Sequence, residues 1–384
     1  MRIAINTRLL INGSLDGIGW FTFESVRRIV KTHPEVDFYL IFDREPHADF
    51  LFAENVTPVV LFPQARHPVL YVMFFELALP AALKKIKPDL FVSCDGYMSL
   101  RTKVPTLNVI HDLNFEEYPK HLPPLLSKYY RYFFPKFARR ARRLATVSEF
   151  SKKDISKRYG VPEAKIDVVY NGVNEVFKPM GEAFIDEIRS RYSEGKPYFL
   201  FVGSIHPRKN LLNQLLAFFE FRKQTNFQFK FLIIGAEFYG GKDLKEKIAD
   251  SPYVGDAIFL GRQSAEELRF LYASAFALMY VSYFEGFGIP LLEAMRSGVP
   301  AITSVTTSMP EVGGEAALYA DPDSPIEIAA RMKQLAQDEE LRANLISAGL
   351  KRSEKFSWDK TSEDLWASIQ RSIAHEDRVD SRSE

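Results

Sequence analysis

Tyr198-Phe199-Leu200-Phe201-Val202-Gly203-Ser204-Ile205-His206-Pro207-Arg208-Lys209-Asn210 begins with five uncharged residues, aromatic or branched, and breaks at a glycine. That is the composition of a short strand buried on both faces, ended by a loop. The pattern repeats downstream at Lys230–Ile234, Ala257–Leu260, Ala277–Val281 and Pro300–Thr303, with helical stretches such as Ala265–Ala273 and Ile326–Gln337 between or after these runs. Short buried strands alternating with amphipathic helices predict a parallel sheet covered on both faces.

The same alternation occupies the first half. Arg2–Asn6, Asp37–Phe42, Asp89–Ser93, Thr106–Ile110 and Leu144–Val147 read as buried strands, and Phe23, Val26 and Val30 recur at helical spacing until Pro34 ends the run. The fold class is therefore α/β, with two tandem Rossmann-like doubly wound domains facing a cleft. The reading divides the chain into 1–178 and 179–357, with a C-terminal helix around 358–374 packing back on the first domain and a disordered tail at 375–384. Phe177–Lys196, polar and carrying Pro179, Gly181 and Gly195, reads as the linker. No internal repeat or low-complexity block interrupts the pattern.

Composition agrees. A chain of 384 residues exceeds one ordinary core, and 46% hydrophobic with 26% charged residues suits a folded soluble protein. A formal net charge of +1 argues against a nucleic-acid footprint along the whole chain. A single cysteine, Cys94, permits no internal disulfide and fits a reducing compartment. Met1–Asn6 leads straight into a strand, with no secretory signal. The longest uncharged apolar stretch, Phe270–Phe284, is shorter than the roughly 20 residues of a membrane helix and reads as a helix end followed by a buried strand. The expected location is cytoplasmic, with peripheral contact at the inner face of a membrane left open.

In open α/β sheets ligands gather beyond the carboxyl ends of strands, so the loops there carry the chemistry. Arg208 and Lys209 offer a planar fork and a point charge, both suited to a diphosphate; surface charge is the plainer alternative. Tyr283-Phe284-Glu285-Gly286-Phe287-Gly288-Ile289-Pro290-Leu291-Leu292-Glu293-Ala294 places Glu285 on a glycine-opened loop, Pro290 at a helix start and Glu293 about one turn inside. The helix N-terminus between the two carboxylates favours an anion. Gly17 and Gly19 precede a helical run, either as a phosphate approach or as a turn that needs glycine. His111 follows a strand and can meet a sugar hydroxyl, act as a base, or brace its own loop, while Asp112 orients that loop. Ser148 or Ser151 caps the helix Lys152–Tyr159. Asp321-Pro322-Asp323 matches a metal-binding spacing but reads as a turn before a helix, and nothing else has metal-ligand spacing. Arg131–Arg143 mixes cations with Tyr132, Phe133, Phe134 and Phe137; it reads as a helix with a buried aromatic face, with an anionic membrane as the other use.

Taken in order, Gly17-Ile18-Gly19, His111-Asp112-Leu113, Thr146 to Ser151, Val169 to Asn174, Pro207 to Asn210 and the pair Glu285/Glu293 resemble the family 4 retaining glycosyltransferases of GT-B fold, over nearly the whole chain. The resemblance implies that Glu285 holds donor-sugar hydroxyls with backbone N–H groups of Gly286, Phe287 and Gly288, and that Ile289 and Pro290 belong to the same donor-binding stretch. It implies that Glu293 holds the ribose, that Arg208 and Lys209 neutralise the diphosphate aided by the loop at Gly17 and Gly19, that His111 touches the donor sugar, and that Gly261-Arg262 lies beside the base. Ser204 stands where many members carry arginine, so Arg208 becomes the candidate leaving-group cation. The implied reaction transfers a hexose of mannose or glucose type from a nucleotide-diphosphate sugar to a glycan or lipid-linked acceptor in cell-surface polysaccharide synthesis, retaining configuration, with no metal and no cofactor. The apolar, aromatic stretch Pro63–Leu79 points to a lipid-linked or peripheral-membrane acceptor. Two rivals are a glycoside hydrolase using Glu285 and Glu293, which leaves Arg208 and Lys209 without a task, and a non-catalytic subunit of a glycan-assembly complex. A dinucleotide-binding enzyme lacks its G-x-G-x-x-G turn after the first strand.

Overall fold

The computed structural model describes residues 1–236 and 241–374, with only the backbone of 241–243. The tail expected at 375–384 lies outside the described residues. The chain divides into two compact units, 1–172 joined by the segment from Trp358, and 173–357.

In the first unit the described strands are β1 (Arg2–Asn6), β2 (Asp37–Phe42), β3 (Val56–Val60), β4 (Leu90–Ser93), β5 (Thr106–Val109), β6 (Arg143–Thr146) and β7 (Ile166–Val168). They form one parallel sheet in the order β3-β2-β1-β4-β5-β6-β7. Ile3, Phe38, Phe91, Leu107 and Leu144 are fully buried in its middle. β3 and β7 were not expected. Val56-Thr57-Pro58-Val59-Val60 is half-exposed and contains a proline, which an edge strand tolerates because its outer N–H groups need no partner. Ile166–Val168 is too short to show a period.

In the second unit β8 (Tyr198–Val202), β9 (Lys230–Ile234), β10 (Ala257–Gly261), β11 (Ala277–Tyr280), β12 (Ala301–Ser304) and β13 (Ala317–Ala320) form a second parallel sheet, ordered β10-β9-β8-β11-β12-β13. Phe199, Phe218, Phe221, Phe229 and Phe231 fill one side of it, with Phe199 stacked on Phe229 at 5.1 Å. β8 and β9 approach closely at their ends: a Cβ on Gly235 would lie 1.8 Å from the Gly203 carbonyl oxygen, so only glycine fits there.

The linker expectation is corrected. Phe177–Lys196 is part of the second unit and contains the helix Glu182–Ser193. Its polarity is that of an outer helix face. Ile188 and Phe177 are buried, Phe177 lies edge-on to Tyr272 at 5.3 Å, and Phe184 meets Phe270 at 4.9 Å.

The helix Trp358–Ala374 belongs to the first unit for identifiable reasons. Leu365 and Ile369 are buried, and Trp366 stacks on His33 at 3.7 Å. Arg28 Nε donates to Asp359 at 2.5 Å, and Thr361 donates to the Tyr170 carbonyl at 2.7 Å. Asp167 on β7 accepts from Ser368 at 2.6 Å and pairs with Arg143 and Arg371.

Candidate active site

The sheet of the second unit reverses between β8 and β11. β9 and β10 build out to one side, and the chain then crosses to β11 on the other. Loops leaving the carboxyl ends of β8 and β11 start from this switch point, the usual ligand position in such sheets. Arg208 and Lys209 stand on the first loop, and Glu285 stands on the second.

The backbone holds the two loops together. Pro207–Lys209 forms one tight turn, entered where His206 Nδ1 accepts from the Arg208 N–H and left through Asn210 at φ 57°. Asn210 Nδ2 donates to the carbonyls of Val281 and Pro322, at 3.0 and 2.7 Å. The Tyr283 N–H donates to the Arg208 carbonyl at 2.9 Å. These bonds fix where the cations start, and the side chains finish the arrangement. Arg208 Nη1 donates to Glu285 Oε2 at 2.9 Å and to the Phe284 carbonyl at 3.0 Å. Lys209 Nζ meets Glu285 Oε1 at 2.6 Å and the Tyr280 hydroxyl at 2.6 Å. Glu285 is 5% exposed and Lys209 7%.

The two glutamates of this loop and helix differ electrostatically. Burial pushes the Glu285 carboxyl up, but Arg208 and Lys209 overcome it and hold it at about 2. Burial pushes Glu293 up to about 7, opposed only by the neighbouring Tyr272 hydroxyl. Glu293 thus stands near neutrality between a protonated form and a carboxylate that can accept from hydroxyls.

The Glu285–Gly288 loop is built by its neighbours. Ser308 Oγ donates to the carbonyls of Glu285 and Phe287, at 2.9 and 3.1 Å, and Thr307 Oγ1 accepts from the Glu285 N–H at 3.3 Å. Gly288 sits at φ 105°, and a Cβ there would lie 2.5 Å from Met309 Cε. It leads into the helix Ile289–Arg296, with Pro290 in the first turn, where a missing N–H costs nothing, and Leu291, Leu292, Ala294 and Met295 buried.

In the first unit the corresponding reversal lies between β1 and β4. Asn6 and Arg8 meet Asp95 there: Arg8 Nε pairs with Asp95 Oδ2 at 2.6 Å, Asn6 donates to Asp95 Oδ1 at 2.8 Å, and the guanidinium lies 4.5 Å from the Tyr97 ring centre. His111 follows β5. Its Nε2–H donates to the Cys94 carbonyl at 2.8 Å, and its ring stands edge-on to Phe21 at 5.0 Å. A carbonyl only accepts, so this bond places the proton on Nε2, while burial lowers the pKa and keeps the ring neutral. Nδ1 then carries the lone pair and can accept from a hydroxyl. Asp112 accepts from the Asn114 N–H at 2.9 Å, and Ser148 caps its helix by accepting from the Ser151 N–H at 3.0 Å. Gly17 and Gly19 lie inside the first turn of the helix Gly17–Thr32 rather than in a loop before it, because Asp16 caps that turn by accepting from the Gly19 N–H at 2.8 Å.

Known proteins carry the same pattern. Residues 15–176 match the family described as Glycosyltransferase Family 4, and residues 184–352 match Glycosyl transferases group 1. The O-antigen chain mannosyltransferase RfbU of Salmonella typhimurium is 30% identical over 269 residues, 70% of this chain and 71% of that protein. The chain is a family 4 glycosyltransferase. O-antigen chain mannosyltransferase B of Escherichia coli is 29% identical over 279 residues, 72% of this chain and 73% of that one. In three dimensions the glycosyltransferase is similar to Anabaena Alr3699/HepE in complex with UDP-glucose, at a TM-score of 0.75 and 17% identity over 97% of this chain and 100% of that one. It is equally similar in fold to WaaG, a glycosyltransferase involved in lipopolysaccharide biosynthesis, at 0.75 and 14% identity over 95% and 98%. The fold is thus GT-B, with two parallel-sheet α/β domains.

Within this glycosyltransferase the structure brings together Arg208, Lys209, Glu285, Gly286, Phe287, Gly288, Ile289 and Pro290, with Glu293 on the helix that follows. Ser204 and Gly203 leave the end of β8 beside them. Arg262 stands apart: it follows β10, the outer strand, three strand spacings or about 14 Å from β11. Sequence reading missed Tyr280, Thr307 and Ser308, which position Lys209 and Glu285. The run Ser304-Val305-Thr306-Thr307-Ser308 at the end of β12 was the available signal. Asp321 and Asp323 form a turn, with the Asp323 N–H donating to Asp321 at 2.9 Å. No group of three or more His, Cys, Asp or Glu among the described residues is placed to hold a metal ion, and no described helix is long and apolar enough to cross a membrane.

Proposed function

We propose that this glycosyltransferase moves a hexose, mannose in first place, from a nucleotide-diphosphate sugar to a glycan or lipid-linked acceptor in cell-surface polysaccharide synthesis, retaining configuration and without a metal ion. The observation that supports this reading best is the juxtaposition of Arg208 and Lys209 with Glu285 at the reversal of the second sheet. Breaking a sugar–diphosphate bond builds negative charge on the departing phosphate. Two cations held in place by their loop stabilise that charge where it develops. Glu285 and Glu293 supply acceptors for sugar and ribose hydroxyls, with the backbone N–H groups from Gly286 to Gly288 as donors. His111 offers Nδ1 to a donor-sugar hydroxyl. Retention is the family's stereochemical course, by front-face attack with the departing phosphate taking the acceptor's proton. Mannose is favoured by the names of the O-antigen relatives.

A peripheral membrane site for the acceptor is supported by the helical stretch after Pro68. Tyr71, Phe74 and Phe75 are buried there, while Val69, Val72, Met73 and Leu77 stay exposed at helical spacing. The helix Pro124–Arg140 buries Phe134 and Phe137 and leaves Tyr132 59% exposed among basic residues.

A thermal-shift screen of nucleotide-sugars with EDTA present tests the donor and the metal together. One GDP- or UDP-sugar should stabilise the protein selectively and be turned over with EDTA present. Lys209→Ala and Glu285→Gln should each lower transfer by about 100-fold or more while the protein stays folded. Near-normal turnover by both variants would sink the assignment.

A further inference from the structure

The two cations meant for the donor already have an anion. Arg208 occupies one oxygen of Glu285 and Lys209 the other, at 2.9 and 2.6 Å, so the carboxylate bridges them as a phosphate's oxygens would. Glu285 and Lys209 are buried and Arg208 is half-buried beside them, where removing a charge from its partner is costly. A diphosphate set on Arg208 and Lys209 would also face Glu285 as a like charge in that spot, which is unfavourable. Each cation keeps a second contact that does not depend on the carboxylate: the Phe284 carbonyl for Arg208 and the Tyr280 hydroxyl for Lys209. Both can therefore change anion without leaving their places.

We propose that Glu285 is an internal counter-ion that exchanges with the donor's diphosphate, and so has a second task in releasing the nucleoside diphosphate product. The inference rests on the donor-binding reading above. When the nucleotide-sugar enters, Arg208 and Lys209 pass from Glu285 to the diphosphate, and the freed carboxylate turns to the sugar hydroxyls that arrive with it. Donor and exchange are matched, because the sugar compensates the carboxylate for its lost cations. After transfer the sugar is gone and the product offers Glu285 nothing. The carboxylate then competes for both cations and drives the nucleoside diphosphate out. The site is thereby selective for a nucleotide that still carries its sugar.

Titration calorimetry of the full chain with UDP and with GDP tests this. Glu285→Gln keeps the shape and removes the charge, so it should bind the matching nucleoside diphosphate about tenfold tighter than the wild type and release it more slowly, although it transfers poorly. The gain should shrink markedly in a Lys209→Ala background, since the cation is what the carboxylate withholds. Equal or weaker binding by a folded Glu285→Gln, when the wild type binds, overturns the exchange and leaves the donor reading standing. Failure of every form to bind either nucleotide overturns both. A structure of the wild type with the nucleoside diphosphate gives an answer independent of any variant. Arg208 and Lys209 should both lie beyond about 4 Å from Glu285 and within bonding distance of phosphate oxygens, and retention of both ion pairs overturns the proposal.

Discussion

Glu285 and Glu293 are one helical turn and one loop apart, yet their surroundings drive them in opposite directions. Glu285 is held at about 2, so its contribution to stability is complete above its ordinary value of 4.5 and disappears as pH falls toward 2. Glu293 is raised to about 7. Between 4.5 and 7 the unfolded chain has ionised this group while the folded chain still holds the proton, so its contribution declines as pH rises through that window. Ribose hydroxyls that donate to Glu293 need the carboxylate, so nucleotide binding should release a proton and tighten as pH rises from 6 to 8. Glu293→Gln should flatten that profile in calorimetry run in buffers of different ionisation enthalpy. An unchanged slope in the variant would show that another group, or the nucleotide itself, carries the dependence. The residue types and spacing of this pair were legible in the sequence. Their opposite protonation was not, because it depends on which cation lies within 3 Å of which oxygen.

Elements transmit these positions to the site. Gly288 turns the chain from loop to helix at φ 105°, hard against Met309. Gly288→Ala should therefore cost about 1–3 kcal/mol of stability, from backbone strain together with the clash. It should also weaken nucleotide binding by tilting the helix that carries Glu293. Met309→Ala in the same chain should relieve the clash but not the strain. Thermal denaturation of the single and double variants separates the two contributions, and an undiminished melting temperature in Gly288→Ala would refute this account of the turn. The buried central strands were read from sequence almost to the residue, since runs such as Tyr198–Val202 bury both faces and contain nothing polar. β3, β7 and β13 escaped notice because edge or very short strands carry weak patterns. The helix Glu182–Ser193 looked like a linker because one buried stripe on a polar helix is a faint signal.

At the scale of the whole chain, the last helix completes the first unit rather than extending the second. Ile369→Ala should cost about 2–5 kcal/mol, the usual range for emptying a buried aliphatic site. Ending the chain at 357 should expose the apolar surface that Leu365 and Ile369 cover and make the first unit sensitive to proteolysis, whereas the second unit keeps its own core. Limited proteolysis followed by mass spectrometry reads this directly, and resistance of the first unit after truncation would show that the helix is dispensable. The sequence alone determined the two parallel α/β sheets, the family, and the identities of Arg208, Lys209, Glu285 and Glu293, because burial patterns and loop motifs are local and survive as spacing. Tertiary structure alone decided that the carboxylate already holds the cations, that Tyr280 contacts Lys209 while Thr307 and Ser308 hold the Glu285 loop, and which contacts dock the last helix, whose return to the first unit was expected from sequence. Such pairings join residues far apart in the chain, and the energy of a buried charge is set by neighbours that no spacing rule records.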